Sequence, residues 1–343
     1  MNYPFPHTSP FPNSFITNEQ RFFSYHQYLK SRFGHRIHKI TVDGGFTCPN
    51  RDGTVAFGGC TYCNNEGFSP ASNTYRPKIY LKPSTGIREQ IDNSISPMRR
   101  RFKIDKFFVY FQAYSNTYAP VEQLKKMYDE AMSHPDIIGL VIGTRPDCID
   151  PAKLDLLESY THDYYVGIEY GCESIYDRTL EWVNRAHTYQ CFVDAVHATA
   201  ERDIDVCGHI ILGFPTETRD EMVAMADALS IMPLKFIKIH NLHIVEGTAL
   251  AHIYKMQPFH VFDFDEYLEL VTDFVERLSP EIAIERLYGD APQAMMIAPT
   301  WMTTGSDMAK AVNQKLIERN SFQGIFSMNK HANVLKTETV NPQ

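Results

Sequence analysis

Cys48, Cys60 and Cys63 stand in the stretches Gly45-Phe46-Thr47-Cys48-Pro49-Asn50-Arg51-Asp52-Gly53 and Gly58-Gly59-Cys60-Thr61-Tyr62-Cys63-Asn64. Three thiolates are one short of a closed tetrahedral metal site, and a structural zinc normally closes with four protein ligands. A cluster iron held by such a trio keeps an open position at which a second molecule binds. Eleven residues separate Cys48 from Cys60, and Gly53, Gly58 and Gly59 among them let the chain fold back so that the sulfurs converge. The competing reading is a zinc knuckle closed by His35 or His38. Cys148, Cys172, Cys191 and Cys207 read as small buried hydrophobes.

These ligands need elements to hold them. Ile37 to Val42 reads as a strand leading into the cysteine loop, and Ile87, Ile91 and Ile95 mark a helix. Apolar strands then alternate with helices: Phe107 to Phe111 with a helix carrying Val121, Leu124, Tyr128, Ala131 and Met132; Ile137 to Ile142 with Ala152 to Tyr160; Tyr164 to Ile168 with Tyr189 to Glu201; Val206 to Leu212 with Glu217 to Ser230, N-capped by Thr216 or Thr218; and Phe236 to Ile239. Met222, Met225 and Met232 read as core filling. Buried strands alternating with helices imply a parallel sheet with right-handed crossovers, and about six units curl into an incomplete barrel. The cysteine loop, Thr144-Arg145, Glu169 and His209 then fall at or near strand C-termini, the face that carries function in β/α barrels. The rhythm runs without a linker, so the expected organisation is an N-terminal extension (1–36), a partial barrel (37–250), a helical and irregular extension (251–320) and a polar, frayed tail (321–343).

With 343 residues, 43% hydrophobic and 22% charged, the chain is globular. Its seven cysteines suit reduced thiols and metal ligation better than a disulfide framework. Neither a basic leader nor a membrane-length apolar run is present, so the expectation is a cytoplasmic protein with no membrane partner. The net charge of −8 is uneven: residues 1 to 110 carry 15 Lys and Arg against 7 Asp and Glu. Within that part Arg99, Arg100, Arg101, Lys103 and Lys106 cluster. Arg21, Lys30, Arg32, Arg36 and Lys39 are interleaved with Phe22, Phe23, Tyr25, Tyr28 and Phe33. Basic residues with aromatics suit phosphate contacts and base stacking; the alternative is a solvated face over ordinary core aromatics.

Cysteines after the first strand of a partial β/α barrel, with Tyr62 just before Cys63, resemble the radical S-adenosylmethionine (SAM) superfamily. Tyr110-Phe111-Gln112-Ala113-Tyr114, Thr144-Arg145-Pro146-Asp147-Cys148, Asn184-Arg185, Ile239-His240, Leu242-His243 and Gly247-Thr248 add a likeness to the YhcC/YtqA-type group, related to the Elongator catalytic subunit, over residues 20 to 305. The fold this implies is an incomplete (β/α)6 radical SAM barrel with N-terminal and C-terminal extensions.

The resemblance also implies a set of roles. Cys48, Cys60 and Cys63 would hold three irons of a 4Fe-4S cluster, and the fourth iron would take the amino and carboxylate groups of SAM. Reductive cleavage would yield a 5'-deoxyadenosyl radical that abstracts a substrate hydrogen. Tyr62 would lie beside the adenine. Gln112-Ala113-Tyr114 stands where relatives have a Gly-Gly-Glu turn on the methionine amine. Thr144 would join the cofactor wall. Arg185, which a surface pair with Glu181 would otherwise explain, stands where relatives place an arginine on the methionine carboxylate. Glu173, at a position where many relatives have Gln, would bind the cofactor, meeting the ribose, or would meet the substrate. Glu169 and His209 would meet the ribose or the substrate as catalytic groups, and His240 and His243 read either as barrel histidines or as substrate contacts. A reductant such as flavodoxin or ferredoxin is implied as a partner.

The substrate expectation divides. Kinship to the Elongator subunit and the basic, aromatic N-terminal part favour tRNA wobble-uridine modification, with tRNA as partner. A radical SAM enzyme acting on a small metabolite and a non-catalytic metal-binding or electron-transfer protein are the alternatives.

Overall fold

The computed structural model describes residues 13–64, 86–289, 291 and 293–327. After helix α1 (Tyr25–Phe33), strand β1 (His38–Val42) leads into the cysteine loop. Helix α2 (Ile87–Phe102) and β2 (Phe107–Phe111) follow. Then come α3 (Val121–Met132), β3 (Ile137–Thr144), α4 (Pro151–Thr161), β4 (Tyr165–Glu173), α5 (Asp177–Trp182), α6 (Tyr189–Ala200), β5 (Asp205–Leu212), α7 (Arg219–Ser230) and β6 (Phe236–Asn241). The last part comprises β7 (Ile244–Val245), α8 (Ala249–Met256), α9 (Phe264–Arg277), β8 (Ala283–Arg286), β9 (Met296–Ala298) and α10 (Gly305–Glu318). Thr218 caps α7 through a reciprocal box with Glu221, the second of the two caps expected.

Seven parallel strands pair in the order β1-β2-β3-β4-β5-β6-β8, a curled sheet with helices against it, while β7 and β9 form a small antiparallel pair. The sheet thus gains one strand over the six expected, drawn from beyond Leu250. Ala283–Arg286 is only four residues long and ends in two charges, so it carried no apolar run to read. Alternation along each strand divides the core. Phe107, Val109 and Phe111 join the main cluster between sheet and helices. Phe108 and Tyr110 join Val141 and Tyr165 in a second cluster with Leu29 and Ile37, so α1 and its flank cover the barrel's N-terminal opening.

That packing overturns the nucleic-acid reading of the N-terminal aromatics. Tyr25 and Tyr28 meet Phe236 edge-on with ring centroids 4.9 and 4.8 Å away, and Phe33 meets Phe108 at 5.5 Å. Arg32 pairs with Asp205 at 2.8 Å, and Lys39 is buried among carboxylates. The rings are packing groups, and Arg32 and Lys39 are ion-paired, while Lys30 and Arg36 stay exposed on the surface. Arg99, Arg100, Arg101 and Lys103 end α2 just before β2 begins, at the opposite end of the strands from the cysteine loop. Ser321 and Gln323 are buried, Gln323 binding the Phe23 amide and the Ile282 carbonyl, so the tail's first residues are packed; the rest of the expected tail lies outside the described residues.

Inside the barrel, the Glu169 carboxylate accepts from Lys39 (2.6 Å), Lys238 (2.5 Å), the Tyr110 hydroxyl (2.6 Å) and His209 Nε2 (2.9 Å). Glu285 receives both lysines at 2.6 and 3.1 Å. Burial alone would raise the Glu169 pKa, but Lys238 and Lys39 outweigh it and hold the carboxylate well below the ordinary glutamate range. The stabilisation is therefore complete above the unfolded glutamate pKa and is lost as pH falls below about 4. We expect Glu169→Gln, which leaves two ammonium groups facing Glu285 alone, to cost about 3–5 kcal/mol in denaturant unfolding at neutral pH. The gap to wild type should narrow in acid, and equal unfolding midpoints at neutral pH would refute this account of the barrel interior.

Candidate active site

The loop after β1 is folded by local geometry. Cys48 O accepts from the amides of Arg51 (2.8 Å) and Asp52 (3.2 Å), and Cys60 O from that of Cys63 (3.0 Å). Gly53, Gly58 and Gly59 all have positive φ (89°, 83° and 77°), the fold-back expected of them. Gly53 also makes room: a Cβ there would lie 2.4 Å from the Phe57 ring.

Residues distant in sequence then clamp the loop. Asn50, fully buried, donates to Asn184 O at 2.6 Å and reaches Cys60 Sγ at 3.5 Å. Asn184, itself at φ 54°, donates back to Gly59 O at 2.9 Å. The Thr61 amide donates to Val183 O at 2.9 Å. The zinc-knuckle alternative fails on position: His38 begins β1, stacked on Phe102 at 4.3 Å, and His35 precedes it, so both lie at the far end of the strand from the thiols.

One cavity of about 290 Å³ opens at the strand C-termini, and every sequence-predicted site residue lines it: Cys48, Cys60, Cys63, Tyr62, Gln112, Ala113, Tyr114, Thr144, Glu169, Glu173, Arg185 and His209. Arg185 is buried rather than paired with Glu181. Its Nη2 donates to Gly171 O at 2.7 Å, its Nη1 approaches Cys60 Sγ at 3.5 Å, and Glu173 lies 3.5 Å away. Glu173 follows a register shift between β4 and β5, and such a bulge re-aims a side chain.

Ala113 and Tyr114 adopt φ of 81° and 62°, a left-handed path that disfavours residues with a Cβ. Asn116 holds it by donating to Ala113 O at 3.0 Å, and the Ser115 amide by donating to Thr47 O at 3.2 Å. Tyr62 lies in an apolar niche with Val183, Ile211, Phe214 and Leu242. The Thr144 hydroxyl is engaged with Thr117 at 2.7 Å.

Glu169 differs from its expected placement. β4 runs on to Glu173, so Glu169 is mid-strand, and its oxygens are taken by four donors. Such a carboxylate orients His209 and holds charge; it is poorly placed to move a proton. Cys148, Cys172 and Cys207 are buried, as expected, whereas Cys191, in the first turn of α6, is only half-buried.

Sequence reasoning passed over Lys238 and Arg286, named Asn50, Arg51 and Arg145 only within motifs, and read Lys39 only as part of the basic N-terminal segment. Arg145 is buried and forked on Asp147 at 2.8 and 2.7 Å. The Thr144-Arg145-Pro146-Asp147 spacing was a usable signal for that pair; the lysines had none, since their partners are far away in the chain.

The donor set suits a cluster with an open iron. Three thiols share one loop, and Asn50 and Arg185 offer N–H groups to Cys60 Sγ, the kind of contact that tunes a cluster's potential. Burial first, then the Cys60 sulfur, push the Cys63 thiol up to about 12, a cost that metal ligation removes by taking the thiolate. Among the described residues the Tyr62 hydroxyl and Arg185 Nε, buried beside the cavity, have no hydrogen-bond partner.

A family model described as the radical SAM superfamily matches residues 48–229, and one described as a radical SAM C-terminal domain matches residues 234–318. The chain is 36% identical over 318 residues to YtqA of Bacillus subtilis, covering 93% of this chain and 96% of that protein. A weaker match, 21% over 47% of this chain and 30% of the other, is to a tRNA uridine(34) acetyltransferase of Methanocaldococcus jannaschii. Among solved structures, the archaeal Methanocaldococcus infernus Elp3 with an N-terminal deletion superposes with a TM-score of 0.61 at 15% identity, covering 84% of this chain and 64% of that one.

The crowding at Gly171 gives a prediction. A Cβ there would lie 2.4 Å from Arg185 Nη2 and 2.6 Å from Glu173 Oε1. Gly171→Ala should displace both, lowering stability by on the order of 1–3 kcal/mol and reducing cluster retention on anaerobic reconstitution. Wild-type unfolding and iron content in that variant would contradict the tight seating of Arg185.

Proposed function

Because the chain belongs to the radical SAM superfamily, in the group with YtqA and YhcC, we propose that its cavity works on a uridine of tRNA. The protein is an enzyme, and a 4Fe-4S cluster and SAM are its cofactors. When bound, these supply reductive homolysis and hydrogen-atom abstraction, chemistry that belongs to the cofactors. The observation that carries the reading is that the three-thiol loop, Arg185 and the Gln112-Ala113-Tyr114 turn line one cavity.

In this proposal Cys48, Cys60 and Cys63 hold the cluster, and Asn50 and Arg185 bias its potential through Cys60. The niche of Tyr62, Ile211, Phe214 and Leu242 receives the adenine. The left-handed turn at Ala113 and Tyr114 turns backbone groups toward the methionine amine, and Arg185, with Arg145 beside it, supplies cationic charge for the carboxylate. Thr144 closes that side, and Glu173 stands toward the ribose. His209, oriented by Glu169, faces the substrate. Together these walls exclude water from the reacting atoms.

The tRNA substrate rests on the relative whose name gives tRNA uridine(34) and on the Elp3-like fold; the acetyl transfer in that name is not carried over. A low-potential donor such as flavodoxin or ferredoxin is the partner this chemistry requires. All seven cysteines are free, which suits a reducing compartment, and the proposed place of action is the cytoplasm. Among the described residues no helix is long and apolar enough to cross a membrane.

The deciding experiment pairs two measurements. Anaerobically reconstituted protein with dithionite and SAM should release 5'-deoxyadenosine, and Cys60→Ala should abolish it. Mass spectrometry of tRNA nucleosides from a strain lacking the gene should reveal a uridine derivative whose level the purified enzyme restores to wild type. Identical nucleosides in the two strains would remove tRNA as the substrate while leaving the radical step intact.

A further inference from the structure

The charged groups lining the cavity are Arg51, Arg145, Glu169, Glu173, Arg185 and Arg286. Most are matched within the protein. Glu169 has Lys39 and Lys238, Arg145 has Asp147, and Arg185 has Glu173. Two cations remain. The charge of Arg51, in the cysteine loop, bears on Cys63 together with that of Arg185, so an anionic cluster supplies its counter-charge. Arg286 stands elsewhere, at the end of β8. Its charge bears on His240, which burial first and Arg286 next hold well below the ordinary histidine range. Among the described residues Arg286 forms no ion pair, and its side chain is exposed at the cavity wall.

The wall around it is rich in donors, and among the described residues it carries no carboxylate free to pair with Arg286. His240 and Asn241 end β6 and His243 follows it, all three in the cavity lining, and the Asn241 amide oxygen is taken by the Gly289 amide at 3.4 Å. His240 is fixed in place, since a Cβ on Gly289 would lie 2.6 Å from its Nδ1. Burial keeps His243 neutral, down to about 4. A neutral imidazole pair beside a guanidinium that has no ion pair among the described residues is a poor receptor for a cation and a good one for an anion, because an Arg fork pairs two N–H groups with two oxygens.

We propose that Arg286 anchors an anionic group of the substrate, a carboxylate or a phosphate, on the β6–β8 wall of the cavity. The proposal deepens the tRNA reading and rests on it for the identity of the molecule, but not for the charge of the group. In a tRNA the two sources are a backbone phosphate beside the reacting nucleotide and an acidic substituent carried by the nucleoside itself.

The test uses the reconstituted holoenzyme with SAM bound. Phenylglyoxal labelling of Arg286, followed by peptide mass spectrometry with Arg51 as reference, should slow in tens of millimolar acetate or inorganic phosphate. Labelling that neither anion slows overturns the proposal. So does labelling already blocked by SAM alone, which would make Arg286 a cofactor contact.

With tRNA from the deletion strain, Arg286→Gln should raise KM by about tenfold, the factor expected for loss of a charged hydrogen bond, and Arg286→Lys should recover part of it. Cluster absorbance would confine the comparison to folded protein, and an unchanged KM in Arg286→Gln refutes the anchoring role. A phosphate contact would make the salt dependence of RNA binding shallower by about one unit in the glutamine variant. A base-borne carboxylate would leave that slope alone and abolish the preference for the modified nucleoside. Anion protection of Arg286 without any turnover of tRNA would leave the proposal standing and remove tRNA as the substrate.

Discussion

The structure depends on how a barrel that hydrogen bonding leaves open is closed. β1 and β8 are the two edges of the sheet, and Lys39 on β1 reaches Glu285 on β8 as well as Glu169 on β4. Lys238 on β6 repeats both contacts. Two ammonium groups and two carboxylates thus bind four strands from the inside, where a lone charge would be too costly to bury. α1 lies over the opening nearby, its N-cap Ser24 bridging to Ile284 on β8. The N-terminal segment therefore serves the barrel's integrity.

Closure in this form positions the site. Because Glu169 is fixed by its lysines, it can hold His209 and the Tyr110 hydroxyl, both of which line the cavity. The cost of a charged interior yields a wall that does not drift. On the opposite side, non-glycine residues in the left-handed region, Ala113, Tyr114, Glu173, Asn184 and Ala186, gather around the cysteine loop and Arg185. Backbone strain concentrated there, and held by specific hydrogen bonds, suits a site whose geometry must be set before its ligands arrive.

The two basic features visible in the chain fare differently once folded. The cluster at Arg99 to Lys103 lies at the wrong end of the strands to touch anything in the cavity, and the aromatics of the interleaved segment are spent on packing, with Arg32 and Lys39 in ion pairs. Arg51 and Arg286, inconspicuous in sequence, are the cations left at the cavity.

By itself the sequence determined the cofactor chemistry and the alternation of strand and helix. The three cysteines of the proposed cluster site fall within residues 48–63, where spacing and glycines act locally, and buried strands announce themselves by continuous apolar runs such as Phe107 to Phe111. The tertiary structure alone decided which charges are structural. Lys39 and Glu285 are 246 residues apart, and no local pattern pairs them until the sheet curls and brings them together. The same curling carried β8 into the sheet, placed His35 and His38 away from the thiols and turned the N-terminal aromatics inward. Burial and through-space pairing between distant residues have no local periodicity, so only the closed barrel could show them.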